Sequence, residues 1–186
     1  MSTTPSTMLP LGSALPDFNL PNAIDGRAIS SRELTGSRGT LVMFICNHCP
    51  YVIHIRARLL EIANKAVEQG FAVVAINANS QQTHPEDGPQ QMKELATAEH
   101  WRFPFLFDET QAVAHAFHAA CTPDLFLFDA GRKLSYRGQF DDARPSKPTP
   151  VTGKDLTAAI DALLAGKAPS GDQIPSTGCN IKWHPV

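Results

Sequence analysis

The sequence predicts a single α/β domain built on a central mixed sheet flanked by helices. Two continuous apolar runs, residues 41–45 and 71–76, contain β-branched side chains and are typical of strands buried on both faces. Between them, apolar residues recur at helical spacing over 52–66. This strand–helix–strand order predicts a right-handed parallel crossover. Two later apolar segments on either side of residues 129–131, Asp-Ala-Gly, add an antiparallel hairpin.

The other elements are predicted along the chain, which we treat as one domain over residues 1–186. Residues 1–12 indicate a loose lead-in, and turn formers within 17–29 predict a small N-terminal β-hairpin. The polar segment 77–89 predicts a surface loop. The remaining predictions are helices at 90–100, 109–119 and 156–164, strands at 103–107, 125–128 and 133–139, a loop at 141–151, and an irregular tail over 167–186.

Composition limits the possible environments and partners. The chain has 186 residues, of which 42% are hydrophobic, enough for one domain with a full core. A formal net charge of −2 favours neither nucleic acid nor an anionic membrane surface as a partner. No apolar run approaches the roughly 18 residues of a membrane span, and the N-terminus lacks the features of an export signal. We therefore expect a soluble, cytoplasmic protein.

The most informative motif is a pair of cysteines, Cys46 and Cys49, between the first buried strand and the helix. Their spacing allows the Cα separation of roughly 4.4–6.8 Å that a disulfide needs. A helix N-terminus carries partial positive charge and unpaired N–H groups, which favour a thiolate. The chain has four cysteines, too few for a disulfide scaffold at this length. Cys-X-X-Cys beside a βαβ pattern therefore indicates a redox centre.

Two neighbours of the cysteines bear on this chemistry. His48 is expected to support the Cys46 thiolate electrostatically, because a histidine there is partly protonated near neutral pH. Pro50 either starts the helix proper or leaves the Cys46 carbonyl unpaired, and both possibilities stay open.

Four segments, in order, carry a family resemblance. They are CNHCPYV at 46–52, TPDLFLFD at 122–129, YRGQFDDARP at 136–145 and GCNIKW at 178–183. Together they resemble the peroxiredoxin-like thioredoxin family proteins of the alkyl hydroperoxide reductase/thiol-specific antioxidant superfamily. The similarity covers almost the whole chain past residue 10. It implies a thioredoxin-like fold and a thiol–disulfide or antioxidant role in redox homeostasis.

The resemblance also implies roles for individual residues. Cys46 would attack a disulfide on a protein or small molecule, and Cys49 would resolve the mixed disulfide. Pro123 would be a cis-proline packed against the active-site disulfide, and with Thr122 it would offer backbone to an extended substrate. The oxidised pair would be reduced by a dithiol donor such as a thioredoxin or glutathione system. No cofactor, metal, nucleic acid or membrane is expected.

The chain departs from related sequences at several supporting positions. Peroxiredoxins carry Pro-X-X-X-Thr-X-X-Cys, and with Cys49 as their peroxidatic cysteine the Pro and Thr positions hold Val42 and Cys46. Their active-site arginine would fall near Pro123. These differences argue against efficient peroxide reduction, so a thiol peroxidase is the second hypothesis. The buried acid of thioredoxins is replaced by Thr40, which leaves the proton acceptor for Cys49 unidentified.

The other two cysteines leave alternatives open. Cys121 lies just before the Thr-Pro motif and is either a third redox thiol or simply buried. Cys179, in the tail, is either an internal resolving thiol or a packed one. A third hypothesis is a metal-binding module, in which Cys46, Cys49 and Cys121 with His48 or Cys179 would hold zinc. Against zinc, the chain has no second Cys-X-X-Cys pair.

Overall fold

A five-stranded mixed sheet organises the computed structural model, which describes residues 3–185. Its strands lie side by side in the order β6 (Phe105–Phe107), β5 (Phe71–Asn77), β4 (Gly39–Phe44), β8 (Asp124–Phe128) and β9 (Leu134–Tyr136). The three strands β4, β5 and β6 are parallel, which confirms the parallel pairing predicted for the first two buried strands. The strands β8 and β9 are antiparallel, which confirms the predicted hairpin.

Both faces of this sheet are covered, because side chains alternate along each strand. In β4, Leu41 and Met43 belong to one core, and Val42 and Phe44 belong to the other. The first core is closed by helices α1 (Pro50–Glu68), α2 (Pro89–Ala98) and α4 (Lys154–Leu164). The second is closed by the short helix α3 (Ala112–Ala116) and the hairpin β2 (Asn19–Pro21) with β3 (Ala28–Ser30). The predicted α/β class and N-terminal hairpin are confirmed.

The chain termini differ from the prediction. The segments expected to be irregular contain β1 (Thr3–Pro5) and β10 (Thr177–Asn180), which form a small antiparallel sheet with β7 (Cys121–Thr122) in the order β1-β10-β7. These strands are two to four residues long and lack an apolar alternation. Their pairing depends on distant parts of the chain, so local sequence gives no signal for it. Residues 1, 2 and 186 lie outside the described residues.

The prediction of a surface loop over 77–89 is wrong for both ends of that segment. Residues 77–80 are buried, as are Asp87 and Gly88. Hydrogen bonds within the segment satisfy some of their polar groups: the Asn77 side-chain amide donates to the Asp87 carbonyl (2.7 Å), and the Asn79 backbone N–H donates to Asn77 Oδ1 (3.0 Å). Because these bonds replace water, the segment can fold inward over the carboxyl ends of β4 and β5.

Replacing Gly178 by alanine should destabilise the terminal sheet. An added Cβ would lie 2.0 Å from the Thr122 carbonyl oxygen. We expect Gly178→Ala to lower the free energy of unfolding by about 1–3 kcal/mol, as overpacking does. Gly171→Ala is the control, since a Cβ there meets no atom within 4 Å. Thermal unfolding measures both variants, and equal melting temperatures would contradict this packing.

Candidate active site

Strand β4 and helix α1 set the positions of the two cysteines. The strand ends at Phe44, and the chain reaches Cys46 two residues later. The helix begins at Pro50, with Cys49 as its N-cap in an extended conformation. Of the two possibilities left open at Pro50, the structure therefore has the proline as the first helical residue. This position suits proline, which has no N–H to lose there. The second cysteine, rather than the first, lies at the helix N-terminus.

The Thr-Pro motif packs against both sulfurs. The Thr122–Pro123 peptide bond is cis. Cys46 Sγ lies 3.6 Å from Thr122 Oγ1, and Cys49 Sγ, when protonated, donates to the Thr122 carbonyl oxygen at 3.2 Å. The structure thus brings Thr122 and Pro123 to the cysteine pair, as expected. The pair itself is enclosed: Cys46 is 2% exposed and Cys49 is 0% exposed.

A buried carboxylate, Asp87, holds the two residues between the cysteines. One of its oxygens accepts the backbone N–H groups of Asn47 (2.8 Å) and His48 (3.2 Å). The other oxygen accepts hydrogen bonds from His48 Nδ1 (2.5 Å) and from the Asn79 side-chain amide (2.8 Å). Asp87 is 0% exposed. Three of these four hydrogen bonds come from Asn47 and His48, so they fix the turn between the cysteines and therefore the separation of the sulfurs at its two ends.

Asp87 and His48 form an ion pair. Burial alone would raise the pKa of Asp87, but the hydrogen bonds from His48 and Asn79 lower that pKa below its usual value. The hydrogen bond to Asp87 raises the pKa of His48. His48 Nδ1 is also 3.9 Å from Cys46 Sγ, so the histidine reaches the cysteine pair with its charge already matched by the carboxylate.

The structure assigns the low thiol pKa to Cys49. The S–H of Cys46 lowers the pKa of Cys49 to about 4, although burial opposes it, and Thr122, Cys179 and the Val52 backbone N–H contribute further. The interaction with Cys49, together with burial and the negative charge of Asp87, raises the pKa of Cys46 well above its usual value. The sequence predicts that His48 favours a thiolate at Cys46, and the structure differs. Instead Cys49 caps the helix, and Asp87 offsets the charge of His48.

The two remaining cysteines lie on opposite faces of the small terminal sheet. Thr122 directs its hydroxyl to Cys46, so its neighbour Cys121 points to the opposite face of the strand. There Cys121 Sγ donates to the Pro123 carbonyl (3.6 Å), and burial raises its pKa. Cys179 is paired in register with Thr122, and its thiol contributes to lowering the pKa of Cys49. All four cysteines are free thiols.

The site has a donor set that a metal could use, but its atoms are already engaged. One atom each from Cys46, His48 and Asp87 lies within 4.8 Å of the other two, and His48, His84 and Glu86 form a second such group. Asp87 accepts four hydrogen bonds, one of them from His48, and a metal would have to displace them. The geometry therefore suits a hydrogen-bonded thiol pair better than the zinc site considered from the sequence.

Asp87 and Asn79 are the site residues that the sequence analysis missed. Both lie in the segment taken for a surface loop. The only available signal is a run of short polar residues directly after a buried strand, residues 77–80, which can bond to one another. Nothing in the sequence distinguishes Asp87 from its neighbour Glu86, because both are acidic residues within a Pro-rich turn.

A profile of the AhpC/TSA family matches residues 11–137. The chain belongs to the AhpC/TSA family. The family resemblance drawn from the four sequence segments is thereby confirmed. No curated protein matches this AhpC/TSA protein.

Solved structures agree with the fold of this AhpC/TSA protein. An uncharacterized conserved protein from Geobacillus kaustophilus is 47% identical, with a TM-score of 0.97 over 100% of this chain and 98% of that chain. A hypothetical protein from Sinorhizobium meliloti 1021 is also 47% identical, with a TM-score of 0.95 over 98% of this chain and 100% of that chain. The thioredoxin domain of a thiol-disulfide oxidoreductase from Bacteroides vulgatus is 17% identical, with a TM-score of 0.56 over 69% and 88%. This last likeness shows the thioredoxin-like fold alone.

None of the helices within residues 3–185 combines the length and the apolar character that a membrane span requires.

Removing the Asp87 charge should lower the pKa of His48. In Asp87→Asn the ion pair is lost, so we expect the pKa of His48 to move down toward the ordinary value of about 6.5. NMR titration of the imidazole nitrogens in the reduced protein measures the shift. Glu86→Gln is the matched control and should lower the same pKa less, because Glu86 acts only through its charge. Equal His48 pKa values in wild type and Asp87→Asn would contradict the ion pair.

The reduced protein should contain one thiolate well below neutral pH. Far-ultraviolet absorbance should show it titrating with a pKa of about 4. Cys49→Ser should remove this transition, Cys46→Ala should move it to higher pH because the S–H donor is lost, and Cys121→Ser should leave it unchanged.

The folded protein releases this proton at a lower pH than the unfolded chain does. The stability advantage of wild type over Cys49→Ser should therefore grow from about pH 4 to about pH 8.5. A transition that persists in Cys49→Ser would contradict the assignment.

Proposed function

We propose that this AhpC/TSA protein is a thiol–disulfide oxidoreductase that cycles Cys46 and Cys49 between a dithiol and a disulfide in redox homeostasis. One observation carries the proposal: Cys46 and Cys49 flank the turn before helix α1, and both sulfurs lie against Thr122 (Cys46 Sγ to Oγ1, 3.6 Å; Cys49 Sγ to the carbonyl oxygen, 3.2 Å). There the Cys46 thiol lowers the pKa of Cys49 to about 4. An ionised sulfur in contact with a second thiol is the arrangement that forms and resolves mixed disulfides.

Cys46 is the proposed entry sulfur, because it is the only one of the pair with exposed surface. As Cys46 attacks a substrate disulfide, its proton passes to the Cys49 thiolate. One half of the substrate leaves as a thiolate, and the other half stays bonded to Cys46. Cys49 then attacks the Cys46 sulfur, its proton goes to the departing thiolate, and the second half is released. The Cys46–Cys49 disulfide remains, so the protein loses the two electrons that the substrate gains.

The other site residues have supporting roles in this proposal. Thr122 places its hydroxyl and carbonyl beside the two sulfurs, and with Pro123 it would provide backbone for a substrate. His48 and Asp87 hold the turn between the cysteines, so that the sulfurs stay in contact through the cycle.

The burial of both sulfurs supports a small or flexible disulfide as substrate rather than a disulfide within a rigid protein surface. A dithiol donor such as a thioredoxin or glutathione system would reduce the pair afterwards. We place the protein in the cytoplasm, because four cysteines are too few for a disulfide scaffold at this length.

A thiol peroxidase is the second candidate, and one observation favours it. Cys49 occupies the helix N-terminus and has the lowered pKa, which is what a peroxidatic cysteine needs. In that reaction Cys49 would become a sulfenic acid, and Cys46 would displace water from it. The positions of the peroxiredoxin Pro, Thr and Arg hold Val42, Cys46 and Pro123, which weighs against this candidate.

Single substitutions of the two cysteines should give different products. Cys46→Ser should abolish the catalytic reduction of insulin, because the entry sulfur is gone. Cys49→Ser should accumulate a mixed disulfide at Cys46, because the resolving sulfur is gone. Turnover assays and mass spectrometry of the quenched protein measure these outcomes. Cys121→Ser is the matched control, since its side chain points away from the pair.

Equal disulfide-reducing activity in wild type and Cys46→Ser would refute the thiol–disulfide proposal. A reaction of Cys49 with hydrogen peroxide far faster than that of a free thiol, retained in Cys46→Ser, would favour the peroxidase instead.

A further inference from the structure

We propose that Cys179 is a third redox thiol, which strand β10 presents to Cys49 as an internal exchange partner. The inference rests on the proposed function, because the species that Cys179 attacks is the Cys46–Cys49 disulfide. The cluster of three sulfurs is formed by segments from the first third and the C-terminal end of the chain.

The register of the terminal sheet directs Cys179 toward the cysteine pair. Cys179 lies directly opposite Thr122 in the antiparallel pairing of β10 with β7. Residues opposite each other place their side chains on the same face, about 4.5–5.5 Å apart at Cβ. Thr122 directs its hydroxyl at Cys46 Sγ, so Cys179 shares the face that contains both catalytic sulfurs.

Contacts and burial agree with this orientation. Cys179 is near enough to Cys49 for its thiol to lower the pKa of Cys49. It belongs to the same buried apolar core as Cys46 and Cys49. Gly178 lets β10 approach closely, since a Cβ there would lie 2.0 Å from the Thr122 carbonyl oxygen. Two thiols that face the same packed core can reach disulfide geometry with small side-chain movements.

Cys121 lacks these features. It precedes Thr122 and points to the opposite face of β7, where its thiol donates to the Pro123 carbonyl. Its partner across the sheet is Asn180, which is exposed. Of the two cysteines left open by the sequence, the structure therefore favours Cys179 as the redox thiol.

The exchange step conserves electrons. The Cys179 sulfur attacks the Cys49 sulfur of the Cys46–Cys49 disulfide, so that the Cys49–Cys179 bond forms and the Cys46–Cys49 bond breaks. The proton of Cys179 ends on Cys46. The protein stays oxidised by two electrons, but Cys46 is returned as a free thiol and the disulfide now joins helix α1 to strand β10.

The position of β10 gives this exchange a physical basis. Thr122 is the residue whose backbone would dock an extended substrate, and in the structure it already pairs with Cys179. The chain's own strand thus presents a cysteine to the pair in the manner of a bound substrate.

Disulfide mapping of the full-length protein tests the inference. Trypsin separates the cysteines into three peptides. Peptide 39–56 contains both Cys46 and Cys49, peptide 103–132 contains Cys121, and peptide 168–182 contains Cys179. Each variant is equilibrated with oxidised glutathione, quenched, alkylated and digested. We expect most of the Cys46→Ser protein to contain a cross-link between peptides 39–56 and 168–182. Wild type should show this link together with the disulfide inside peptide 39–56.

The double variant Cys46→Ser/Cys179→Ser should lose the cross-link and accumulate a glutathione adduct on Cys49, whereas Cys46→Ser/Cys121→Ser should keep the cross-link. The inference is overturned if Cys46→Ser accumulates the Cys49 adduct with Cys179 alkylated, or if peptide 39–56 links to peptide 103–132. Circular dichroism verifies that each variant is folded, and the wild-type map needs no substitution.

The same experiment separates this inference from the proposed function. Two results together would overturn only the role of Cys179. They are a wild-type protein that forms the Cys46–Cys49 disulfide and reduces small disulfides, and a Cys46→Ser variant that forms no cross-link. Failure of wild type to form the Cys46–Cys49 disulfide at any ratio of oxidised to reduced glutathione overturns the proposed function.

Discussion

The buried carboxylate of Asp87 is the interaction on which the candidate site depends. It accepts four hydrogen bonds, three of them from Asn47 and His48 between the cysteines. A buried carboxylate that loses its partners costs about 3–5 kcal/mol, so the turn and the 77–89 segment stabilise each other. Asn79 extends the network, because its side chain donates to Asp87 and accepts the backbone N–H of Lys182 near the C-terminal end of the chain. One acid thus connects the cysteine turn, the inward-folded segment and the C-terminal residues.

This network accounts for the enclosure of the thiols and for the difference between them. The 77–89 segment lies beside the Asn47–His48 turn, and the terminal strand β10 lies beside Thr122, so that Cys49 is fully buried and Cys46 is only 2% exposed. Within this enclosure, the start of α1 at Pro50 gives Cys49 the helix N-terminus, and Asp87 places a negative charge near Cys46. The charge of the pair therefore rests on Cys49, while Cys46 keeps the proton and the exposed surface.

The parts of the structure that the sequence predicted are those with a local physical signature. Buried strands such as 71–76 are apolar throughout, helix α1 repeats its apolar positions, and the Asp-Ala-Gly turn marks its hairpin. Strands β1 and β10 could not be predicted, because two to four paired residues carry no periodicity and their partners are distant in the chain. Asp87 could not be predicted either, because an acid that is buried by its hydrogen bonds has the same local sequence as an exposed one.

The central claim is that Cys46 and Cys49 form a reversible two-electron couple whose dithiol form is stabilised by the Cys49 thiolate. An equilibrium redox titration against glutathione, with the Cys46–Cys49 disulfide quantified by mass spectrometry, tests it most directly. We predict one two-electron transition at a potential above the roughly −270 mV of thioredoxin, because a stabilised thiolate favours the reduced form. A pair that stays as separate glutathione adducts, or that is oxidised only at potentials below that of thioredoxin, would contradict the account.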